Sequence, residues 1–210
     1  MRPLYYILTI HLTILLCTKS VSISNFTIKE FPARCNKNID STDTIVTYFN
    51  EKYKLSIKVS DPDNYDYETN NALFTITRLK DNFVVINDSI GTMNPVIEFE
   101  DYNKDGVKDI LVYHYHGARA NSTYYLYVAD TKNKYFQKIA GFDDLPNTSI
   151  DKNRIITSVA LYGRIGYSFY VITKNHKVMQ LGKTIETDPA DESDAVDKEY
   201  KRVLKLFYRH

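Results

Sequence analysis

The chain has 210 residues, with 27 Lys and Arg against 26 Asp and Glu, 18 Tyr and no Trp. That length supports one substantial domain, or two small ones, and buries a core without cross-links. A charge this balanced gives no electrostatic footing for nucleic acid or an anionic membrane surface.

The first residues read as an export signal. Arg2 supplies a positive start, residues 4–17 are mostly apolar, and Ser20, Val21 and Ser22 put small residues at −3 and −1 of a cleavage point before Ile23. The apolar run is short of the roughly 20 residues that span a bilayer. Residues 1–22 are therefore expected to be a signal peptide and the mature protein to be periplasmic or secreted. Cleavage removes Arg2 and Lys19, and lowers the formal net charge of +1 by two. Cys17 follows Leu15 and Leu16 as in a lipoprotein signal. That signal has Gly, Ala or Ser where Leu16 stands, so a lipid anchor on Cys17 is the lesser expectation. The mature chain keeps only Cys35 and closes no internal disulfide; a bound metal is another restraint open to it. Asn25, Asn87, Asn121 and Asn147 each open an Asn-x-Ser/Thr sequon.

The rest of the chain alternates strand and turn signals. Residues 26–31 alternate apolar and polar, and a loop follows. Residues 44–49 and 53–59 read as strands about a tight turn at Asn50 and Glu51. In the second, Tyr53, Leu55, Ile57 and Val59 alternate with Lys54, Ser56 and Lys58, giving one dry and one wet face. Residues 61–66 are an acidic loop with Pro62 and no glycine, better suited to solvent than to a second cation. Residues 73–79 and 83–86 form a hairpin pattern.

Between the strands expected at 95–100 and 110–116 lies the most organised stretch, Asp101-Tyr102-Asn103-Lys104-Asp105-Gly106-Val107-Lys108-Asp109. Oxygen-bearing side chains occupy loop positions 1, 3, 5 and 9, and a glycine that permits a sharp turn occupies position 6. A hard cation takes six to eight oxygens at roughly 2.3–2.6 Å. Asp101, Asn103, Asp105, the Val107 carbonyl and Asp109 are the expected Ca²⁺ ligands. The loop is not an EF-hand, because Val112 stands where the bidentate Glu belongs and the flanks are β-rich. An Asp-Gly pair also serves as a plain hairpin turn.

Residues 121–129 and 134–139 form a further hairpin pattern, and 145–151 a connector. Three strands follow at 154–162, 167–172 and 177–181, with turns at 163–166 and 173–176. Turns at this spacing indicate an all-β domain of antiparallel strands over residues 23–187, a sandwich or a propeller-like arrangement with one strand–calcium loop–strand unit. A single copy of the loop argues against a propeller built from such units. Residues 188–210 change character to an acidic linker and a short amphipathic C-terminal helix. Val196, Tyr200, Val203, Leu204 and Phe207 fall at helical spacing, with acids leading and Lys201, Arg202, Lys205 and Arg209 trailing.

Catalytic patterns are missing. No G-x-S-x-G, H-E-x-x-H or phosphate-loop pattern occurs, and Cys35 lacks the surroundings of a cysteine protease. His114 and His116 lie two apart in a strand and would share a face, as zinc ligands do, but no third ligand is indicated. The chain is therefore read as a binding protein and not an enzyme. Two loops suit recognition, at 116–121 and 162–167, where Arg119, Tyr162, Arg164 and Tyr167 stand among small residues. Arg and Tyr are over-represented in binding hot spots.

Taken together, residues 95–182 carry the calcium loop, the strand after it, a glycine-containing loop, Tyr124 to Asp130 with Tyr135 and Phe136, the connector from Leu145 and Pro146, and a final three-strand run. This order resembles the VirK-like bacterial periplasmic proteins with a single FG-GAP-type calcium loop. That group includes inhibitors of peptidoglycan-cleaving, lysozyme-like enzymes and immunity proteins against secreted toxins. The resemblance implies a calcium-stabilised exported β-protein whose partner is a peptidoglycan hydrolase or another secreted protein. A calcium-stabilised adhesion or carbohydrate-binding module is the alternative, with Tyr as stacking platforms.

Overall fold

The computed structural model describes residues 43–60, 69–117, 119–130, 133, 135–189 and 194–207. All of them fall within one compact unit, Ile39–His210. The expected signal peptide, Cys17, Cys35, Asn25, the 26–31 segment, the acidic loop at 61–66 and Arg209 lie outside the described residues.

Three antiparallel sheets follow one another along the chain. The first holds β1 (Asp43–Tyr48), β2 (Tyr53–Val59), β3 (Ala72–Arg78) and β4 (Phe83–Ile90). The second holds β5 (Ile97–Glu100), β6 (Asp109–Gly117), β7 (Asn121–Asp130) and β8 (Tyr135–Lys138). The third holds β9 (Ser149–Ile150), β10 (Ile156–Leu161), β11 (Ile165–Ile172) and β12 (Val178–Thr187), and α1 (Ala195–Phe207), the single helix among the described residues, comes last. Within each sheet every strand pairs with its neighbour in sequence, so each sheet is a four-strand meander. The chain is all-β with one C-terminal helix, as its turn spacing and tail pattern imply.

The middle sheet is buried on both faces. Ile110, Val112, Tyr125, Tyr127 and Ala129 join Leu55, Ile57, Phe74 and Ile76 of the first sheet in one core. The intervening residues Leu111 and Leu126 join Tyr102, Ile139, Phe142, Leu145 and Ile156 in a second core, which Tyr170 and Ile172 of the third sheet border. This explains why 110–112 and 124–129 read as unbroken apolar runs while 53–59 alternates: a strand between two cores has no wet face. Each fully buried aliphatic or aromatic side chain contributes about 1.5–3 kcal/mol of transfer free energy. The Tyr127 hydroxyl, at the margin of the first core, donates to Asp88 at 2.6 Å, and Lys138 pairs with the same carboxylate at 2.7 Å.

Helix α1 docks beside β11 and β12. The Tyr200 ring lies 5.6 Å from Phe169, and its hydroxyl donates to Asp151. Glu199 accepts the Lys183 N–H at 3.0 Å and a fork of bonds from Arg202. The Arg202 bonds, with the Lys183 N–H behind them, hold the Glu199 carboxyl down at about 2. Gly182 sits beneath this pair at φ +72°, where a Cβ would overlap both Glu199 and Arg202. No helix among the described residues is long and apolar enough to cross a membrane.

The structure corrects several expected boundaries. Ser149 and Ile150, read as connector, pair with Thr157 and Ile156. Strand β12 runs on to Thr187, so Ile165 and Gly166, read as turn, pair with Thr187 and Glu186. Strand β4 extends to Ile90 by pairing along the full length of β3.

Candidate metal centre and binding loops

The loop at 101–109 closes the β5–β6 hairpin, whose last pair is Glu100 with Asp109. Lys104 at φ +57° and Gly106 at φ +89° tighten it. Asp101 accepts the Asp105 N–H at 3.2 Å on one oxygen and the Gly106 N–H at 3.0 Å on the other. The Asn103 oxygen accepts the Asp105 N–H at 2.9 Å, and Asp105 accepts the Val107 N–H at 2.8 Å. These are local side-chain-to-backbone bonds that fix the loop's shape. Each of these oxygens has two lone pairs, and none takes more than one of the four N–H bonds.

Asp109 is different. It is fully buried, and one of its oxygens accepts the N–H groups of Tyr102 and Asn103 at 2.7 and 3.2 Å. The other accepts the Ala129 N–H of β7 at 2.9 Å. Burial pushes its carboxyl up to about 6, against the downward pull of these three N–H groups. Three bonds leave it about one acceptor position of four. No three His, Cys, Asp or Glu side chains among the described residues are grouped as a metal site by themselves. The set expected from the sequence draws also on the Asn103 amide oxygen and the Val107 carbonyl. An all-oxygen set of this kind suits a hard cation.

The loop is braced from both cores. Tyr102 is buried, edge-on to Phe142 with centroids 5.1 Å apart, and its hydroxyl bonds that of Thr148 at 3.0 Å. From the other side the Tyr48 hydroxyl donates to the Lys108 carbonyl. A groove of about 380 Å³ runs between the loop and the β1–β2 turn, lined by Tyr48, Phe49, Phe99 and Val107 among others.

The two strand histidines do not share a face. The register between β6 and β7 slips between Tyr113 and Tyr115, so a bulge reverses the alternation there. His114 is buried against Thr123 at 3.2 Å and the Tyr125 ring at 4.7 Å, and burial lowers its pKa. His116 is exposed and bonds the Ser122 hydroxyl at 2.8 Å.

The two loops singled out for recognition come together, joined by two asparagines. Asn121 accepts the Leu161 N–H at 2.8 Å and donates to the Leu161 carbonyl at 2.8 Å, copying a strand pair. Asn147, in the left-handed conformation at φ +47° that Asn tolerates, accepts the Ser122 N–H at 3.1 Å. Its amide nitrogen donates to Val159 at 2.9 Å and to Asn121 at 3.3 Å. Thus the β6–β7 and β10–β11 hairpins meet. A Cβ on Gly163, at φ +98°, would lie 3.4 Å from the Arg119 guanidinium. Beside it the Tyr162 hydroxyl donates to Glu186 at 2.9 Å, and Arg164 reaches the same carboxylate at 3.4 Å. Arg119, Tyr162 and Arg164 are exposed. Tyr167 stands apart from the tip, half-buried within β11 between Val159 and Ile185. Asn121 and Asn147 stood out in the sequence only as sequons, and Glu186 not at all.

Compared with protein-family models, curated proteins and solved structures, the chain matches none of them.

Proposed function

We propose that this chain is an exported calcium-binding protein that inhibits or neutralises a peptidoglycan-cleaving, lysozyme-like enzyme by binding it, without turnover of its own. The observation that carries this reading is the meeting of the β6–β7 and β10–β11 hairpins, which gathers Arg119, Tyr162 and Arg164 on one exposed tip. Glycoside hydrolysis uses paired carboxylates across a cleft, and a projecting basic and aromatic tip complements such a groove. In this reading Asp101, Asn103, Asp105, the Val107 carbonyl and Asp109 hold Ca²⁺ as a staple between β5 and β6. The working compartment is the periplasm or the exterior, with a lipid anchor at Cys17 the lesser form.

The test is titration of the purified protein into a lysozyme, with inhibition and direct binding read together. The double variant Arg119→Glu, Arg164→Glu is expected to weaken both at least tenfold, about 1.4 kcal/mol, while the melting temperature stays unchanged. Unchanged inhibition would remove the tip from the mechanism, and no binding to any peptidoglycan hydrolase would remove the reading. The groove lined by Tyr48, Phe49 and Phe99 favours a second reading, a carbohydrate-binding module, because sugar rings stack on aromatic faces. Binding to insoluble glycan with no protein partner would select it.

A further inference from the structure

Three of the four sequons fall on described residues, and they stand in opposite situations. We propose that the fold makes Asn87 an N-glycan acceptor and withholds Asn121 and Asn147. The Asn147 amide nitrogen spends both hydrogens inside the protein, on Val159 and Asn121. The Asn121 amide nitrogen is bound to Leu161, and its oxygen takes two further bonds, from the Leu161 N–H and Asn147. A sugar on Asn147 would displace one of its two bonds, and on Asn121 it would stand at the joint that the same amide forms with Leu161 and Asn147.

Asn87 lies in β4, an edge strand of the first sheet. Its pairing partner is Thr75, and that of Ser89 is Leu73. Period-two alternation sends Asn87 and Ser89 to the same outer face, and both are exposed. Asp88, the middle residue of the sequon, pairs with the fully buried Phe74 and points inward to Tyr127 and Lys138. The two residues that define the acceptor are thus presented outward while the one between them anchors the strand. The Asn87 side chain makes no hydrogen bond to another described residue.

The co-reactant is an oligosaccharide carried on a lipid pyrophosphate in a secretory membrane. The Asn87 amide nitrogen attacks C1 of the first sugar. A C–N bond forms, the C–O bond to the pyrophosphate breaks, the lipid pyrophosphate leaves, and the nitrogen gives up one proton. The attached chain then projects from the outer face of the first sheet, beside Leu73, which is 40% exposed.

The test is secretion of the full chain from a host that N-glycosylates, followed by peptide mapping with and without glycosidase. Folded protein is expected to carry sugar at Asn87 and none at Asn121 or Asn147, with Asn25 read on its own peptide. Asn87→Gln and Ser89→Ala should each remove the mass of one glycan without lowering the melting temperature, and Ser89→Thr should retain it. An empty Asn87, or sugar on Asn121 or Asn147 in folded protein, overturns the proposal.

Discussion

The loop at 101–109 and the paired hairpins use the same chemistry to opposite ends. Both are held by Asp or Asn side chains bonded to backbone. In the loop, Asp101, Asn103 and Asp105 reach backbone groups two to five residues away and retain spare acceptor positions. In the hairpins, Asn121 and Asn147 reach 12 to 40 residues away and commit nearly all their bonding capacity. An arrangement with several unused lone pairs has room for a ligand; one with few left mainly holds the chain. Asp109 sits on the boundary, in the loop by position but with the hairpins by behaviour.

The largest test addresses that boundary. Asp109→Ala deprives two buried N–H groups and one partly buried one of their acceptor, and at about 1–3 kcal/mol for each group the expected loss is about 3 kcal/mol or more in denaturant unfolding. Asp109→Asn, which keeps one acceptor oxygen, should lose less. A loss below about 1 kcal/mol would return Asp109 to the open group. Next, Asn121→Ala is expected to cost about 1–2 kcal/mol and to speed hydrogen exchange at the Leu161 amide, since it removes two partly buried bonds to Leu161. Unchanged exchange would show that the hairpins meet without it.

A control lies outside both regions. Glu199 has its folded pKa depressed to about 2 by Arg202 and the Lys183 N–H. Its contribution is present above the unfolded value of about 4.3 and is lost as pH falls through about 2. The melting-temperature gap between the wild type and Glu199→Gln should therefore be full at pH 5 and close toward pH 2. A gap that persists there would mean that packing, and not the charge pair, seats α1. The smallest effect on the fold is expected from Asp105→Ala, under about 1 kcal/mol in chelator because the two bonds it removes, from the Val107 N–H and the Asn103 amide, are both exposed. The same variant should abolish the rise in melting temperature on adding calcium. An unaltered rise would remove the loop as the site.

These two regions also mark what the sequence could disclose. In the 101–109 loop the bonds of Asp101, Asn103 and Asp105 are local and follow from their spacing, whereas the burial of Tyr102 and the Asp109 bond to Ala129 depend on residues outside it. The paired hairpins were half legible. Arg119, Tyr162 and Arg164 drew notice as residue types, but their meeting depends on bonds across some 40 residues that no local pattern encodes. Tyr167 misled for the related reason that residues 163–166 resembled a turn while β12 continued far enough to pair two of them. The histidine pair misled because a single-residue bulge, invisible in composition, reverses alternation. The all-β class and α1 were plain, since period two and period 3.6 are written into the apolar positions themselves.

The middle sheet has a consequence for any attempt to divide this protein. The central residues of β6 and β7, Ile110 to Val112 and Tyr125 to Tyr127, lie between two cores and have no wet face. Cutting after β4 or before β9 would turn a row of buried Tyr, Ile and Leu side chains into open surface, a patch of the kind that recruits other copies of itself. Truncations at either end should thus fail by aggregation. New termini belong instead at an exposed turn within an outer sheet, such as residues 50–52 or 174–175, where both cores stay covered.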